Sequence, residues 1–171
     1  MSDLPITLVS ARRDQLPEVA RLAHAIWHTH YPGIISAEQI DYMLARGYAL
    51  DALATFLDRA DRGLELAFCG DAMAGFAAWY VTGQADEAKL DKLYVLQGYQ
   101  RLGLGRRLVA RVEAFARAAG AATLILNVNK QNSKAIAAYD RSGFALREAV
   151  TVPIGNGFFM DDHVMAKSLV V

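Results

Sequence analysis

The sequence predicts an α+β fold: a sheet of short strands with amphipathic helices packed on it. Three patterns carry that prediction. Seven apolar or alternating runs of strand length recur along the chain, at 6–10, 64–69, 73–82, 89–96, 123–128, 144–152 and 158–169. Between them lie stretches whose apolar residues repeat at helical spacing. Turn-forming residues sit at the junctions, above all Gly155-Asn156-Gly157 before the last run, where Asn-Gly is a strong hairpin signal.

Taken in order, Ile6 to Ser10 is a short strand. Asp14 to about His28 is a helix, with Leu16, Val19, Ala20, Ala23 and Trp27 on one face. Tyr31-Pro32-Gly33 interrupts it. Ser36 and Gln39 have capping-box spacing, with Ser36 as N-cap and Gln39 at N3, and open a helix reaching about Leu44. A further helical stretch runs from Leu50 to Arg59. Leu64–Cys69 and Met73–Thr82 form a strand pair around Gly70-Asp71, and Lys89–Leu96 is the central strand. Arg106 to Ala119 is a long helix ended by Gly120. The strand from Thr123 to Val128 leads into a helix with Asn132 or Ser133 near its N-cap and Gly143 as its stop. The last two strands close the chain as a hairpin.

Composition sets bounds. At 171 residues one domain over residues 1–171 is expected, large enough to bury a real core. No apolar run reaches the roughly 18 residues a membrane helix needs. The first residues lack a charged-then-apolar signal design, and a single cysteine, Cys69, excludes an internal disulfide. A cytoplasmic location is expected. The 18 Lys and Arg balance the 18 Asp and Glu. That balance offers nothing for nucleic acid or an anionic membrane surface, so neither is expected as a partner.

The chemistry concentrates after the central strand. Leu93, Tyr94, Val95 and Leu96 give way to a polar loop, and Gly103 and Gly105 then open the long helix. A helix's first turn has unpaired N–H donors and partial positive charge, so it attracts phosphate. Glycine lets backbone approach a ligand without a Cβ in between. A pyrophosphate site is therefore expected here. A Walker loop is excluded because no Lys-Ser/Thr pair follows the glycines. A dinucleotide fingerprint lacks its third glycine, since Leu108 stands there, and a nicotinamide-dependent oxidoreductase is disfavoured with it. The loop does fit Gln/Arg-x-x-Gly-x-Gly/Ala, as Gln100, Arg101, Leu102, Gly103, Leu104 and Gly105. Arg101, Arg106, Arg107 and Arg111 make the neighbourhood basic.

A second segment lies downstream: Asn132, Ala135, Tyr139, Gly143 and Phe144, in the pattern Asn-x-x-Ala-x-x-x-Tyr-x-x-x-Gly-Phe. Ala135 and Tyr139 are four apart and share a helical face. A small residue beside a tyrosine leaves room for a thin ligand chain. In this order the two segments resemble the pyrophosphate loop and following helix of the GNAT N-acetyltransferase superfamily. The resemblance implies a mixed central sheet of about seven strands flanked by helices and splayed between the fourth and fifth strands. It implies acetyl-CoA as cosubstrate without a metal, and a primary amine of a small molecule, peptide or protein as acceptor. It also admits a homodimer. A degenerate module that binds acyl-CoA without catalysis is the alternative reading; Tyr139 and Asn132 together argue against it.

The resemblance further implies roles. Backbone groups of Leu93, Tyr94 and Val95 would pair with the pantetheine amides as an added strand does. The stretch from Gln100 through Arg106 would hold the pyrophosphate, Asn132 the pantetheine arm, and Tyr139 would protonate the departing thiolate, its phenol being protonated at neutral pH. The family's upstream glutamate falls at Lys89, which leaves the base among Asp86, Glu87, Asp91 or water. Trp27, His28 and Tyr31 are the candidate acceptor-facing residues, although Trp27 is equally a core residue by pattern. His24 and His28 have zinc-helix spacing but lack the accompanying glutamate. Asp161-Asp162 would suit a cationic amine, and a solvated hairpin face explains that pair equally well.

Overall fold

A computed structural model describes residues 4–171. Its seven strands are β1 (Ile6–Ser10), β2 (Arg62–Cys69), β3 (Ala72–Val81), β4 (Glu87–Val95), β5 (Thr123–Asn129), β6 (Ala145–Gly155) and β7 (Phe158–Ser168). The helices are α1 (Leu16–His30), α2 (Ala37–Gly47), α3 (Leu50–Ala54), α4 (Leu104–Ala118) and α5 (Ser133–Arg141). One sheet holds every strand, in the order β1-β2-β3-β4-β5-β7-β6. All its pairings are antiparallel except β4 with β5. The sheet is mixed, open and flanked by helices, as expected.

Alternation and helical spacing explain the layers. On β5, Leu124, Leu126 and Val128 are buried while Thr123, Ile125, Asn127 and Asn129 are only partly covered. Leu104, Leu108, Val112 and Ala116 repeat every four residues on α4 and are at most 1% exposed. They meet the β5 leucines and Phe144 in one core. Each of those leucines contributes about 1.5–3 kcal/mol by leaving water. A second core on the other face joins Val19 and Trp27 of α1, Ile40 and Leu44 of α2, and Leu53 of α3 to Leu66 and Phe76.

Local differences from the sequence reading have physical causes. Helix α1 starts at Leu16, after a 3-10 turn over Arg13–Gln15, with Pro17 in its first turn, and runs on to His30. The stretch expected to stay helical to Arg59 stops at Ala54. There Thr55 donates its N–H to Ala52, a tighter turn, and Asp58 takes a left-handed φ of 58°. Ser36 does cap α2 by accepting from the Gln39 N–H at 3.1 Å, but only half the capping box forms. The Gln39 side chain instead donates to the Phe159 carbonyl at 2.8 Å. With Tyr42 donating to Ile154 O, it ties the last hairpin to α2. Asn156 (φ 53°) and Gly157 (φ 77°) form the two-residue turn predicted from Asn-Gly.

Candidate active site

The site begins where two parallel strands part. β4 pairs with β5 only from Glu87 to Leu90, opposite Thr123 to Leu126, yet continues to Val95 along β3. Leu96 turns its N–H to Ala74 O on the β3 side. By strand alternation Val95 and Leu93 then present their N–H and C=O groups to the gap. Tyr94 points its backbone the other way. A cavity of about 440 Å³ occupies the gap and extends beneath α1 and α2.

At one end of the gap lies the glycine loop. Among the described residues, the amides from Arg101 through Arg106 donate to no backbone carbonyl; the first to do so is Arg107, to Gly103 O at 3.0 Å. Gly103, the N-cap of α4, has φ 76°, and Arg101 also has φ 76°. Left-handed residues alternating with ordinary ones turn successive N–H groups to one side, making an anion-binding concavity. Arg101 holds a conformation rare for a residue with a side chain, at a cost of order 1–2 kcal/mol. Leu104 offers only its amide, because its side chain is 1% exposed in the core. Leu102, Arg106 and Arg107 are exposed beside the loop. Gln100 donates to Val95 O and accepts from Lys134 Nζ, both at 3.3 Å, so its side chain bridges the gap's mouth.

Across the gap stands α5. Asn132 is its N-cap, and Asn132 Oδ1 accepts from the Ala135 N–H at 3.3 Å. The choice between Asn132 and Ser133 is thereby resolved. Tyr139 lines the cavity, its ring edge-on to Phe144 at 5.7 Å. Burial pushes its hydroxyl well above the ordinary phenol range, with a smaller push from Tyr31. The Tyr31 and Tyr94 hydroxyls lie 3.0 Å apart. Burial raises both, and the charge of Asp162 adds to the effect on Tyr31. Tyr139, Tyr31, Tyr94 and Asp162 thus converge on one space.

Several site expectations need correction. His28 does not line the cavity. It lies on the exposed flank of α1, where its ring bonds His24 O at 2.9 Å and Asp41 at 3.2 Å. His30, two residues on, faces the cavity instead, and burial and Lys134 hold its pKa below the usual value. Trp27 serves both readings, being 5% exposed in the core and a wall of the cavity. Arg111 is not free for phosphate, because its Nε is 2.6 Å from the buried Glu65. Glu87 is held by Arg147 at 2.8 Å and by Thr82, outside the cavity. Asp86 lies in the turn before β4, outside it as well. Asp91 does reach the cavity but bonds Lys92 Nζ at 2.8 Å.

The acidic pair divides by strand alternation. Asp161 is exposed, paired with Lys130 and with Thr151. Asp162 is 2% exposed and turned into the cavity, where burial raises its pKa above the usual carboxylate value. Only the parity of the residue along β7 separates them. Without the register, the sequence could not say which aspartate faces in.

Comparison with known proteins bears on this geometry. Residues 21–144 match the model of the acetyltransferase (GNAT) family. The chain belongs to the GNAT acetyltransferase family. It is 25% identical over 152 residues to a spermidine N(1)-acetyltransferase of Thermoplasma acidophilum, covering 86% of this GNAT chain and 91% of the relative. Over 72 residues, 42% of the chain and 47% of the relative, it is 43% identical to the ribosomal protein bS18-alanine N-acetyltransferase of Escherichia coli. The crystal structure of the PaiA N-acetyltransferase of T. acidophilum in complex with coenzyme A superposes with a TM-score of 0.83 at 24% identity, covering 96% and 99% of the two chains. That likeness is one of fold: the splayed GNAT sheet expected from two short motifs is the sheet this chain forms.

Proposed function

We propose that the chain transfers an acetyl group from acetyl-CoA to a primary amine of a small molecule or peptide. The observation that carries this reading is the run of unpaired amides at Arg101–Arg106, which follows directly on Gln100, a wall of the same cavity that Tyr139 lines. Leu93 and Val95 pair with the pantetheine amides, extending β4 across the gap as an added strand. The Arg101–Arg106 amides hold the pyrophosphate, with Arg106 beside it. Asn132 bonds the arm on the α5 side. Relatives that use amines as different as spermidine and a ribosomal protein's alanine support the reaction class and leave the acceptor open.

The amine nitrogen attacks the thioester carbonyl, and the Val95 N–H polarises the carbonyl oxygen as it gains charge. Collapse expels the thiolate, and Tyr139 gives it a proton. Burial keeps that phenol protonated across the working pH range. Trp27 and Tyr31 wall the acceptor end. The reading places the enzyme in the cytoplasm as one domain. The test is thiol release from acetyl-CoA with a panel of amines: turnover with at least one amine supports the reading. Binding of acetyl-CoA without turnover on any of them would favour the degenerate module.

A further inference from the structure

The acceptor end of the cavity holds four charged side chains: Lys89, Asp91, Lys92 and Asp162. Two of them satisfy each other. Lys92 Nζ lies 2.8 Å from Asp91 Oδ2 and 4.8 Å from the centre of the Tyr48 ring. The other two do not. Among the described residues Lys89 forms no ion pair, and Asp162 accepts a side-chain hydrogen bond only from Asn127 Nδ2, at 3.5 Å. Asp162 is nonetheless 2% exposed. A buried carboxylate without a cation is unfavourable, and a bound cationic partner relieves it. Lys89 is near enough for its charge to act on Asp162, but beyond ion-pair distance. The cavity thus keeps a separated pair of opposite charges open to a ligand.

Resting on the acetyl-transfer reading above, we propose that the acceptor is a zwitterionic amine of the amino-acid type, with Asp162 receiving and deprotonating its ammonium and Lys89 receiving its anionic group. Trp27, Tyr31, Met43 and Met160 take the apolar remainder. A polyamine fits worse, because its further cations would meet Lys89 and Lys92 with no second free carboxylate to balance them.

The protons balance. Asp162 takes one from the ammonium and passes it to solvent, and the free amine forms the C–N bond. As the C–S bond breaks, the nitrogen sheds its second proton and Tyr139 delivers one to sulfur. Tyr139 is then reprotonated. The sum is acetyl-CoA plus ammonium giving amide, free CoA thiol and one proton. The groups facing Asp162 are Lys89 from β4, Asn127 and Asn129 from β5, and Tyr31 at the end of α1, while the charges of Lys130 beyond β5 and of Asp161, on the other face of β7, also reach it. Burial lifts its pKa above the usual carboxylate value, toward that of the amine it serves.

The test uses the full chain with acetyl-CoA and matched pairs: each common amino acid beside the amine left when its carboxylate is removed, with spermidine and a tripeptide as further acceptors. The wild type should favour at least one amino acid over its matched amine by tenfold or more in kcat/KM. Lys89→Met should raise KM for that amino acid tenfold or more and narrow the ratio. Asp162→Asn should lower kcat/KM a hundredfold or more and abolish the acidic limb of its pH profile, with acetyl-CoA affinity unchanged. A merely structural Asp162 would leave that limb in place. Preference for spermidine or the tripeptide, or for every matched amine, overturns the proposal. So does acetyl-CoA binding with no turnover on any of these acceptors. Failure to bind acetyl-CoA at all strikes instead at the acetyl-transfer reading beneath it.

Discussion

Gly103 and Gly105 look alike in sequence and should respond differently to an added methyl group. At Gly103, φ is 76° and a Cβ would meet nothing closer than Arg106 Nη2 at 3.9 Å. Space is available, so the cost of Gly103→Ala is purely conformational, about 1–2 kcal/mol for a left-handed L-residue. If the loop holds its shape, that cost falls on folding stability. If it relaxes and must be rebuilt on binding, the cost appears as roughly 5–30-fold weaker CoA affinity. The two losses together should sum to about 1–2 kcal/mol. Gly103→Asn should recover most of it, because asparagine tolerates this region. Gly105 is not left-handed, and its Cβ would sit an ordinary 3.9 Å from Val95 Cγ2. Gly105→Ala should leave affinity within about twofold, with a small gain in stability from better helix propensity. Calorimetric titration with CoA and urea unfolding of the three variants provide the measurements. Equal effects at the two glycines, or no loss of either kind in Gly103→Ala, would refute the reasoning.

Other perturbations follow from the same geometry. Tyr139→Phe removes only a hydroxyl, so turnover should fall at least tenfold while CoA affinity and thermal midpoint hold; unchanged turnover would remove Tyr139 from the chemistry. Leu104→Ala empties a site that is 1% exposed beneath the loop and should cost about 2–5 kcal/mol in urea unfolding; a loss below 1 kcal/mol would mean that α4 is not anchored there. Burial alone would raise the Glu87 pKa, but the hydrogen bonds from Arg147 and Thr82 outweigh it and lower the value below 4.5. Its contribution to stability is therefore present above the unfolded-state value and lost as pH falls through the folded one. Unfolding of wild type and Arg147→Gln at pH values from 6 down to 3 should show their difference shrinking toward acid, and a difference that grows instead would reverse the sign argued here.

Much of this protein was legible in its residues because the decisive signals are local. Spacing of apolar residues located α1 and α4, capping signals located α2 and α5, and Asn156-Gly157 located the last turn. Gly103 and the pattern around it marked the glycine loop that opens α4, where the N-cap is left-handed. Long-range features were harder. Gln39 has the spacing of a capping box, yet its side chain bonds a carbonyl 120 residues away in sequence. Arg111 reads as one of four arginines near the loop, but a buried glutamate 46 residues earlier claims it. His28 and His30 differ by two positions on α1, and only the packing of that helix shows which one meets the cavity. Asp161 and Asp162 differ by one residue, and a register slip of one would exchange them. In each case the missing information was a partner set by tertiary packing.

Nitrogen-15 amide spectra during titration with coenzyme A give the most direct test of the phosphate loop. The amides of Arg101 through Arg106, together with those of Leu93 and Val95, should move together and saturate at one CoA per chain. Saturable shifts confined to other parts of the molecule, or spectra that do not change, would contradict the account.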